Sequence, residues 1–207
     1  MNYALLCFIS LLASYYSCNE DDFVAYTKEF RQSRAKLEIN DTTFLDLFLY
    51  DGEFKEIPDI LVTKYIDNSR SKEKSNYRYD FGVRLEGSNM DYLAVLVRKQ
   101  QYDETYGCDN DLSTLILITY SKSGDKKSMQ EVGLDNDCWI SSTEILDNEV
   151  VVKQIKLLEF GKDEIDCEVL TKKYRITAEG FIEFVHSEPL KNGVLIWDHQ
   201  SQKFKLK

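Results

Sequence analysis

Two acidic tripeptides are the segments of this chain best suited to chemistry. Asp109–Asn110–Asp111 directly follows Cys108, and Asp135–Asn136–Asp137 directly precedes Cys138, so the two segments mirror each other. Carboxylate and amide oxygens are the hard ligands that Ca²⁺ prefers. The candidate calcium ligands are the four carboxylates of Asp109, Asp111, Asp135 and Asp137. The alternative is a solvated acidic loop end, which protects the edge of a sheet from aggregation.

A turn midway between the two tripeptides is expected to bring them together. Lys122–Ser123–Gly124 has the composition of a three-residue hairpin loop that ends in glycine, and it separates a strand-like run at 115–120 from a weaker one at 126–132. A symmetric register about Ser123 places Cys108 opposite Cys138. In an oxidising compartment this arrangement predicts a disulfide, which on the chain-entropy argument contributes on the order of 3–4 kcal/mol.

The amino terminus has the composition of an export signal. Residues 1–17 contain no charged side chain, and the apolar run at 4–13 is too short to span a bilayer as a mature helix. Cys18 follows, and then the acidic residues Glu20, Asp21 and Asp22. The segment resembles the bacterial lipoproteins whose signal ends just before a cysteine that becomes lipidated. An ordinary secretory signal cleaved nearby and an uncleaved amino-terminal helix are the alternatives.

The acidic residues after the cysteine extend this resemblance. Glu20, Asp21 and Asp22 are similar to the signal with which Bacteroidota export lipoproteins to the outer face of the outer membrane. The resemblance implies a signal peptide over 1–17, palmitate or a similar lipid on Cys18, an acidic tether over 18–22 and one domain over 23–207. It also implies that the domain is anchored in the outer membrane and faces the cell exterior.

Composition and charge indicate an ordered domain that does not bind nucleic acid. The 207 residues are 43% hydrophobic and 30% charged with only 9 Gly and 2 Pro, which excludes a low-complexity chain. The 13 Tyr and 11 Phe favour strands. Because the formal net charge is −10, we expect no nucleic acid partner, since phosphates are bound by clustered lysine and arginine.

Period-two alternation predicts a mainly β fold. Residues 77–85 and 92–98 alternate around a turn at 87–89, and later segments repeat the pattern of strand, turn and strand. Eight to ten strands in consecutive hairpins predict an antiparallel meander that forms a twisted sheet, a sandwich or a partial barrel. Upstream, the spacing of apolar residues at 23–36 and the position of Pro58 before 59–66 predict one or two short helices. The alternatives are a partly ordered spacer at 23–36 and a strand at 59–66.

The remaining reactive side chains do not form a recognisable catalytic set in the sequence. His186 and His199 lie apart, without neighbours at the spacing of a zinc site or an acid–base pair. Cys167 lies between Asp166 and Glu168, and this anionic setting is expected to raise the pKa of its thiol. The chain also lacks a nucleophile elbow, a phosphate loop and a dinucleotide fingerprint. We therefore expect a protein that is not an enzyme.

Two functional hypotheses follow from these features. The first is a lipid-anchored binding or structural module without catalysis, whose ligand is a protein or a glycan. Tyr102 and Tyr106 lie in a polar segment and are candidates for contact with such a ligand, because loop tyrosines present rigid amphipathic rings. The second is a periplasmic inhibitor or immunity-type protein whose acidic surface binds a basic partner.

Overall fold

Fourteen strands and two short helices are present in the part of the chain that the computed structural model describes. It describes residues 22–33, 36–39, 47–68, 77–85, 91–101, 112–135, 139–160, 164–200 and 203–207. The elements are α1 (22–28), β1 (Arg31–Ser33), β2 (Lys36–Ile39), β3 (Leu49–Tyr50), β4 (Glu53–Phe54), α2 (Asp59–Leu61) with its π-helical continuation (Val62–Ile66), β5 (Tyr77–Leu85), β6 (Tyr92–Gln101), β7 (Leu112–Ser121), β8 (Lys126–Asp135), β9 (Trp139–Leu146), β10 (Glu149–Phe160), β11 (Glu164–Ile176), β12 (Ile182–Ser187), β13 (Lys191–Asp198) and β14 (Lys203–Leu206). Neither helix of these ranges is long and apolar enough to cross a bilayer.

Two large sheets carry most of these strands. Sheet A has the order β1-β5-β6-β7-β8, and sheet B has the order β14-β13-β11-β10-β9-β2, with β12 also paired to β11. The prediction of a mainly β fold built from antiparallel hairpins is therefore confirmed. Three features depart from a simple meander. Strand β2 pairs with the distant β9. Strand β1 pairs with β5 in parallel, and β11 pairs with β12 along one half and with β13 along the other.

Sheet A is the middle layer of the molecule, because both of its faces are buried. One face carries Ala94, Leu96 and Leu117, which pack against Val150 and other residues of sheet B. The alternate positions of the same strands face the helices. Every residue from Ser113 to Tyr120 in β7 is buried, as expected for a strand covered on both faces.

The helices and an aromatic cluster cover the outer face of sheet A. Tyr26 of α1 stacks on Tyr65 with ring centroids 4.6 Å apart, and Phe23 contacts Tyr120 at 5.3 Å. The hydroxyl of Tyr120 donates to the backbone carbonyl of Tyr65 at 3.0 Å and lies 3.4 Å from the hydroxyl of Tyr26. Burial raises the pKa of both Tyr26 and Tyr120 well above the usual value. These two phenols are therefore neutral hydrogen-bonding groups.

Both predicted helices are confirmed, and the physical reasons are local. Helix α1 buries Phe23 and Tyr26, and Phe30 is buried just after its end; the three residues recur at the spacing of a helix face. Pro58 precedes α2, where its fixed φ and its lack of a backbone N–H are compatible with the first turn. The chain leaves the helical conformation earlier than the predicted limit at Lys36, because Arg31–Ser33 form β1.

A buried ion pair lies between the two sheets at one end of sheet A. Arg98 donates from Nε to Oδ2 of Asp80 at 2.8 Å and from Nη2 to Oε1 of Gln100 at 2.7 Å. Its guanidinium also lies 3.6 Å from the ring centroid of Phe54. Asp80 and Arg98 are 0% and 2% exposed. Water is thus excluded from the pair, and breaking it would leave a buried charge poorly compensated. Oδ1 of Asp80 also lies 3.5 Å from Nε of Arg78.

A close approach of backbones fixes the path of β5 over this region. A Cβ atom added to Gly82 would lie 2.4 Å from the carbonyl oxygen of Leu96 and 2.7 Å from the ring of Phe48. The pairing of β5 with β6 shifts register between Phe81 and Arg84. Only glycine allows β6 and the Phe48 ring to approach β5 so closely.

Sheet B carries a second, smaller apolar cluster on its outer face. Ile155 pairs with Val169 and Leu157 pairs with Cys167, and these residues alternate with Val150 and Val152, which face sheet A. The cluster contains Ile155, Ile165, Cys167, Val169 and Leu195. Strand β10 therefore has apolar residues directed toward sheet A near its beginning, where it follows β9. Farther along, its apolar residues lie on the opposite face.

The structure corrects the predicted register of the β7–β8 hairpin. The turn itself is confirmed, because Gly124 has φ +95° and Tyr120 pairs with Lys126 as symmetry about Ser123 requires. Two bulges then shift the register, so that Asp135 pairs with Ser113 instead of with Asp111. The predicted pairing was wrong because a symmetric alignment assumes equal strand lengths, whereas each bulge adds a residue to β8.

We expect the Asp80–Arg98 pair to be critical for stability. Asp80→Ala should lower the free energy of unfolding by about 3–5 kcal/mol, because the buried guanidinium of Arg98 would lose the carboxylate to which it donates. Urea unfolding followed by tryptophan fluorescence measures this change. The double variant Asp80→Leu with Arg98→Met should recover most of the loss.

An exposed ion pair in the same chain provides the control. Asp91 accepts from Lys122 at 3.2 Å, and both side chains are largely exposed, so Asp91→Ala should leave the unfolding midpoint unchanged. Equal effects of the Asp80→Ala and Asp91→Ala substitutions would contradict the importance assigned to the buried pair.

Candidate binding surface

Most of the site residues predicted from the sequence lie outside the described residues. The predictions that concern these residues stay predictions. They are the lipid attachment residue Cys18, the export residues Glu20 and Asp21, the disulfide pair Cys108 and Cys138, the calcium ligands Asp109, Asp111 and Asp137, and the loop tyrosines Tyr102 and Tyr106.

Asp135 is the one proposed calcium ligand that the structure describes. It is the last residue of β8 and pairs with Ser113. Among the described residues, no group of three histidine, cysteine or acidic side chains is close enough to hold a metal ion. The predicted calcium site depends on residues beyond these ranges.

Asp22, the last residue of the predicted tether, is the first described residue of α1. Its carboxylate accepts a hydrogen bond from Nζ of Lys64 at 2.9 Å, and this hydrogen bond is the main cause of a raised Lys64 pKa. Phe23, the next residue, is buried against the ring of Tyr65. Asp22, four residues after Cys18 in the sequence, is therefore already attached to the fold.

The largest concentration of exposed apolar side chains follows the turn between β11 and β12. Ten large hydrophobic residues are exposed in the described part of the chain, and four of them lie within ten residues of each other. We call this group the apolar edge surface; its members are Phe181, Phe184, Val185 and Leu190. Phe184 is the most exposed of the four, at 60%.

Phe184 lies on the face of sheet B that is directed toward sheet A. It pairs with Tyr174 and contacts its ring at a centroid distance of 5.8 Å. Tyr174 belongs to the core between the sheets, so Phe184 lies on the same face of sheet B. Strand β12 lies next to β8, the last strand of sheet A, yet the Phe184 side chain remains exposed.

Val185 forms a bulge in β12. Lys173 pairs with His186 and Tyr174 pairs with Phe184, so Val185 is an extra residue without a partner in β11. Both Val185 and Phe184 are exposed. The bulge thus brings two adjacent apolar side chains to the surface at the free edge of β12.

Charged side chains of both signs lie near the apolar edge surface. Nζ of Lys127 lies 6.0 Å from the ring centroid of Phe181, and Lys173 and Arg175 pair with His186 and Glu183 across the β11–β12 ladder. On the next segment Lys191 donates to Glu188 at 3.0 Å, which lowers the pKa of the Glu188 carboxyl. The surface therefore combines an apolar centre with a mixed but partly basic rim, in a chain of net charge −10.

The two histidines and Cys167 lie in different parts of sheet B and its loops. His186 lies in β12 opposite Lys173, and His199 follows β13. Cys167 is a free, buried cysteine in the second apolar cluster. Burial raises the pKa of its thiol, and the charge of Asp166 raises it further, whereas a backbone hydrogen bond from Leu195 lowers it. The expected direction of this pKa shift is confirmed.

Sequence reasoning identified β12 as a strand but missed the apolar edge surface. Strict alternation would leave one face of an edge strand polar. The adjacent pair Phe184–Val185 breaks the alternation, and this signal could have indicated a bulge. The exposure of Phe184 could not be predicted from the sequence, because it depends on how the two sheets pack together.

The Cys167 thiol is expected to react slowly in the native protein. At pH 8 its rate with a charged disulfide reagent should be at least about tenfold below that of an exposed cysteine, because burial limits access and disfavours the thiolate. In urea the rate should rise to the exposed value. The difference between the natural chain and Cys167→Ser isolates this thiol from the other cysteines. A fast native reaction that disappears in Cys167→Ser would contradict the assignment.

In comparisons with known protein families, with curated proteins and with solved structures, nothing matches this chain.

Proposed function

We propose that this protein is an exported lipoprotein, anchored through Cys18, that binds a partner protein through the apolar edge surface and performs no catalysis. The signal-like segment 1–17, Cys18 and the acidic residues after it support the anchor. The observation that carries the binding role is the cluster of four exposed hydrophobic side chains within residues 181–190. Groups of exposed apolar side chains mark interaction sites in soluble domains.

The chemistry of the surface favours a protein partner over a glycan. Its residues are phenylalanine, valine and leucine, which bind by burial of apolar area. They provide no side-chain hydroxyl or amide for the hydrogen bonds that orient a sugar. Phenyl and aliphatic groups surrounded by charged residues are typical of the centre and rim of protein interfaces. The partner that fits best presents an apolar patch with carboxylates beside it, opposite Lys127.

The anchor predicts that Cys18→Ala is released from membranes. The natural chain should sediment with the membrane fraction and incorporate a labelled fatty acid, whereas the variant should be soluble and unlabelled, because a covalent acyl anchor supplies the membrane affinity. Cys167→Ala is the matched control, since it removes a cysteine within the fold and should remain in the membrane fraction. An unchanged distribution of Cys18→Ala would refute the anchor.

Protease treatment of intact cells then tests the side of the membrane. We expect the domain to be digested in intact producing cells, as the acidic residues after Cys18 indicate outward export. Protection in intact cells with digestion after lysis would place the domain in the periplasm. That outcome would favour the alternative of an envelope inhibitor or immunity-type protein.

If the apolar edge surface binds the partner protein, the substitution Phe184→Lys should weaken the complex between them. In cross-linked membranes, Phe184→Lys should reduce the yield of the partner adduct by about tenfold, which corresponds to about 1.4 kcal/mol, because a buried aromatic anchor would be replaced by a cation. Leu158→Lys is the control, since Leu158 is 44% exposed but lies in β10. Equal yields of the partner adduct from the natural chain and from both variants would show that the apolar edge surface does not bind the partner.

The salt dependence of the complex separates the two functional hypotheses. An adduct formed through apolar contacts should persist when the salt concentration is raised. A complex that depends on an acidic surface and a basic partner should weaken steeply, because screening acts on exposed charges. If salt strongly weakens the complex and the Phe184→Lys substitution does not, the hypothesis of an inhibitor or immunity-type protein is favoured.

A further inference from the structure

Chain length restricts how far the folded domain lies from its anchor. Only residues 19–21 separate Cys18 from Asp22, where α1 is already in place and bonded to Lys64. Four residue steps of extended chain span at most roughly 14 Å. If Cys18 carries a lipid, the surface around Asp22 must therefore lie within that distance of the membrane.

The surface around Asp22 carries exposed apolar side chains next to a cation. Val24 follows in the first turn of α1 and is 42% exposed. Ile60 lies four residues before Lys64, which places the two side chains near each other on α2 and its continuation. Ile60 is 75% exposed, more than any other large hydrophobic residue in the described part of the chain. We call Val24, Ile60 and Lys64 the anchor-proximal face.

Packing within the protein does not account for an isoleucine at position 60. The neighbours Val62, Tyr65 and Ile66 are buried in the aromatic cluster, so they hold this segment on sheet A without a contribution from Ile60. Exposed aliphatic groups next to a lysine are suited to the boundary between lipid headgroups and acyl chains, where the apolar group enters and the ammonium stays at the surface.

We propose that the anchor-proximal face lies on the lipid surface, with Ile60 inserted at the headgroup boundary and Lys64 beside it. This inference rests on the proposed lipidation of Cys18, which holds the face next to the bilayer at high effective concentration. The layers of the molecule then stack away from the membrane in the order helices, sheet A and sheet B. Sheet B, with its outer apolar cluster, is the layer farthest from the lipid.

Tryptophan quenching by brominated lipid tests this orientation. The full lipidated chain, as Ile60→Trp or Leu146→Trp, is reconstituted into phosphatidylethanolamine and phosphatidylglycerol vesicles with ordinary or brominated acyl chains. Leu146 is a matched control, because it is 52% exposed but lies at the end of β9 in sheet B. The emission of Trp139 and Trp197, measured in the natural chain, is subtracted from both variants.

We expect brominated lipid to quench the added emission of Ile60→Trp at least about twofold more than that of Leu146→Trp, since only an interfacial side chain approaches the acyl chains. Equal quenching of the two variants, with fatty acid present on Cys18 by mass spectrometry, would overturn the orientation and leave the anchor intact. Absence of fatty acid on Cys18, together with vesicles that float without protein, would overturn both the anchor and the orientation. The high exposure of positions 60 and 146 keeps either substitution compatible with folding.

Discussion

Burial of both faces of sheet A is the constraint on which the rest of the structure depends. Strands β6 and β7 carry apolar residues at successive positions, not only at alternate ones, so neither face can be left in water. Sheet B covers one face, and α1 with the segment around α2 covers the other. This arrangement explains why two helical segments of fewer than ten residues are retained in a mainly β protein. Without them, Val95, Ile116, Ile118 and their neighbours would be exposed.

The same constraint explains where polar groups are placed inside the molecule. Where the apolar residues of the inter-sheet core end, Asp80, Arg98 and Gln100 continue the layer and are joined by hydrogen bonds. The ring of Phe54, from the β3–β4 hairpin, covers the guanidinium. A buried pair of this kind adds little net stability compared with well-packed apolar residues, but it is costly to break. It therefore restricts how the hairpin and the end of sheet A can be arranged.

Sequence periodicity was sufficient to predict most strands, the two helical segments and the turn at Gly124, because each depends on residues close in the chain. Pairings between distant segments could not be predicted in this way. The parallel contact of β1 with β5 and the division of β11 between β12 and β13 are set by how whole sheets pack. The register at Asp135 was wrong because bulges depend on tertiary contacts as well as on the local sequence. Among the predicted site residues, Asp22 has a role in the fold that charge alone did not indicate, since Lys64 comes close to it only after folding.

The bulge at Val185 has a consequence for contacts between copies of the protein. Strand β12 is exposed and pairs on one side with β11 among the described residues, which leaves backbone groups at its other side. A regular exposed edge of this kind is a template onto which another chain can add and start polymerisation. The extra residue interrupts the regular spacing of the N–H and C=O groups and increases the local twist, so a second β12 cannot pair along its whole length. A surface that is apolar enough to attract another protein is thereby kept from growing a continuous sheet between neighbouring copies.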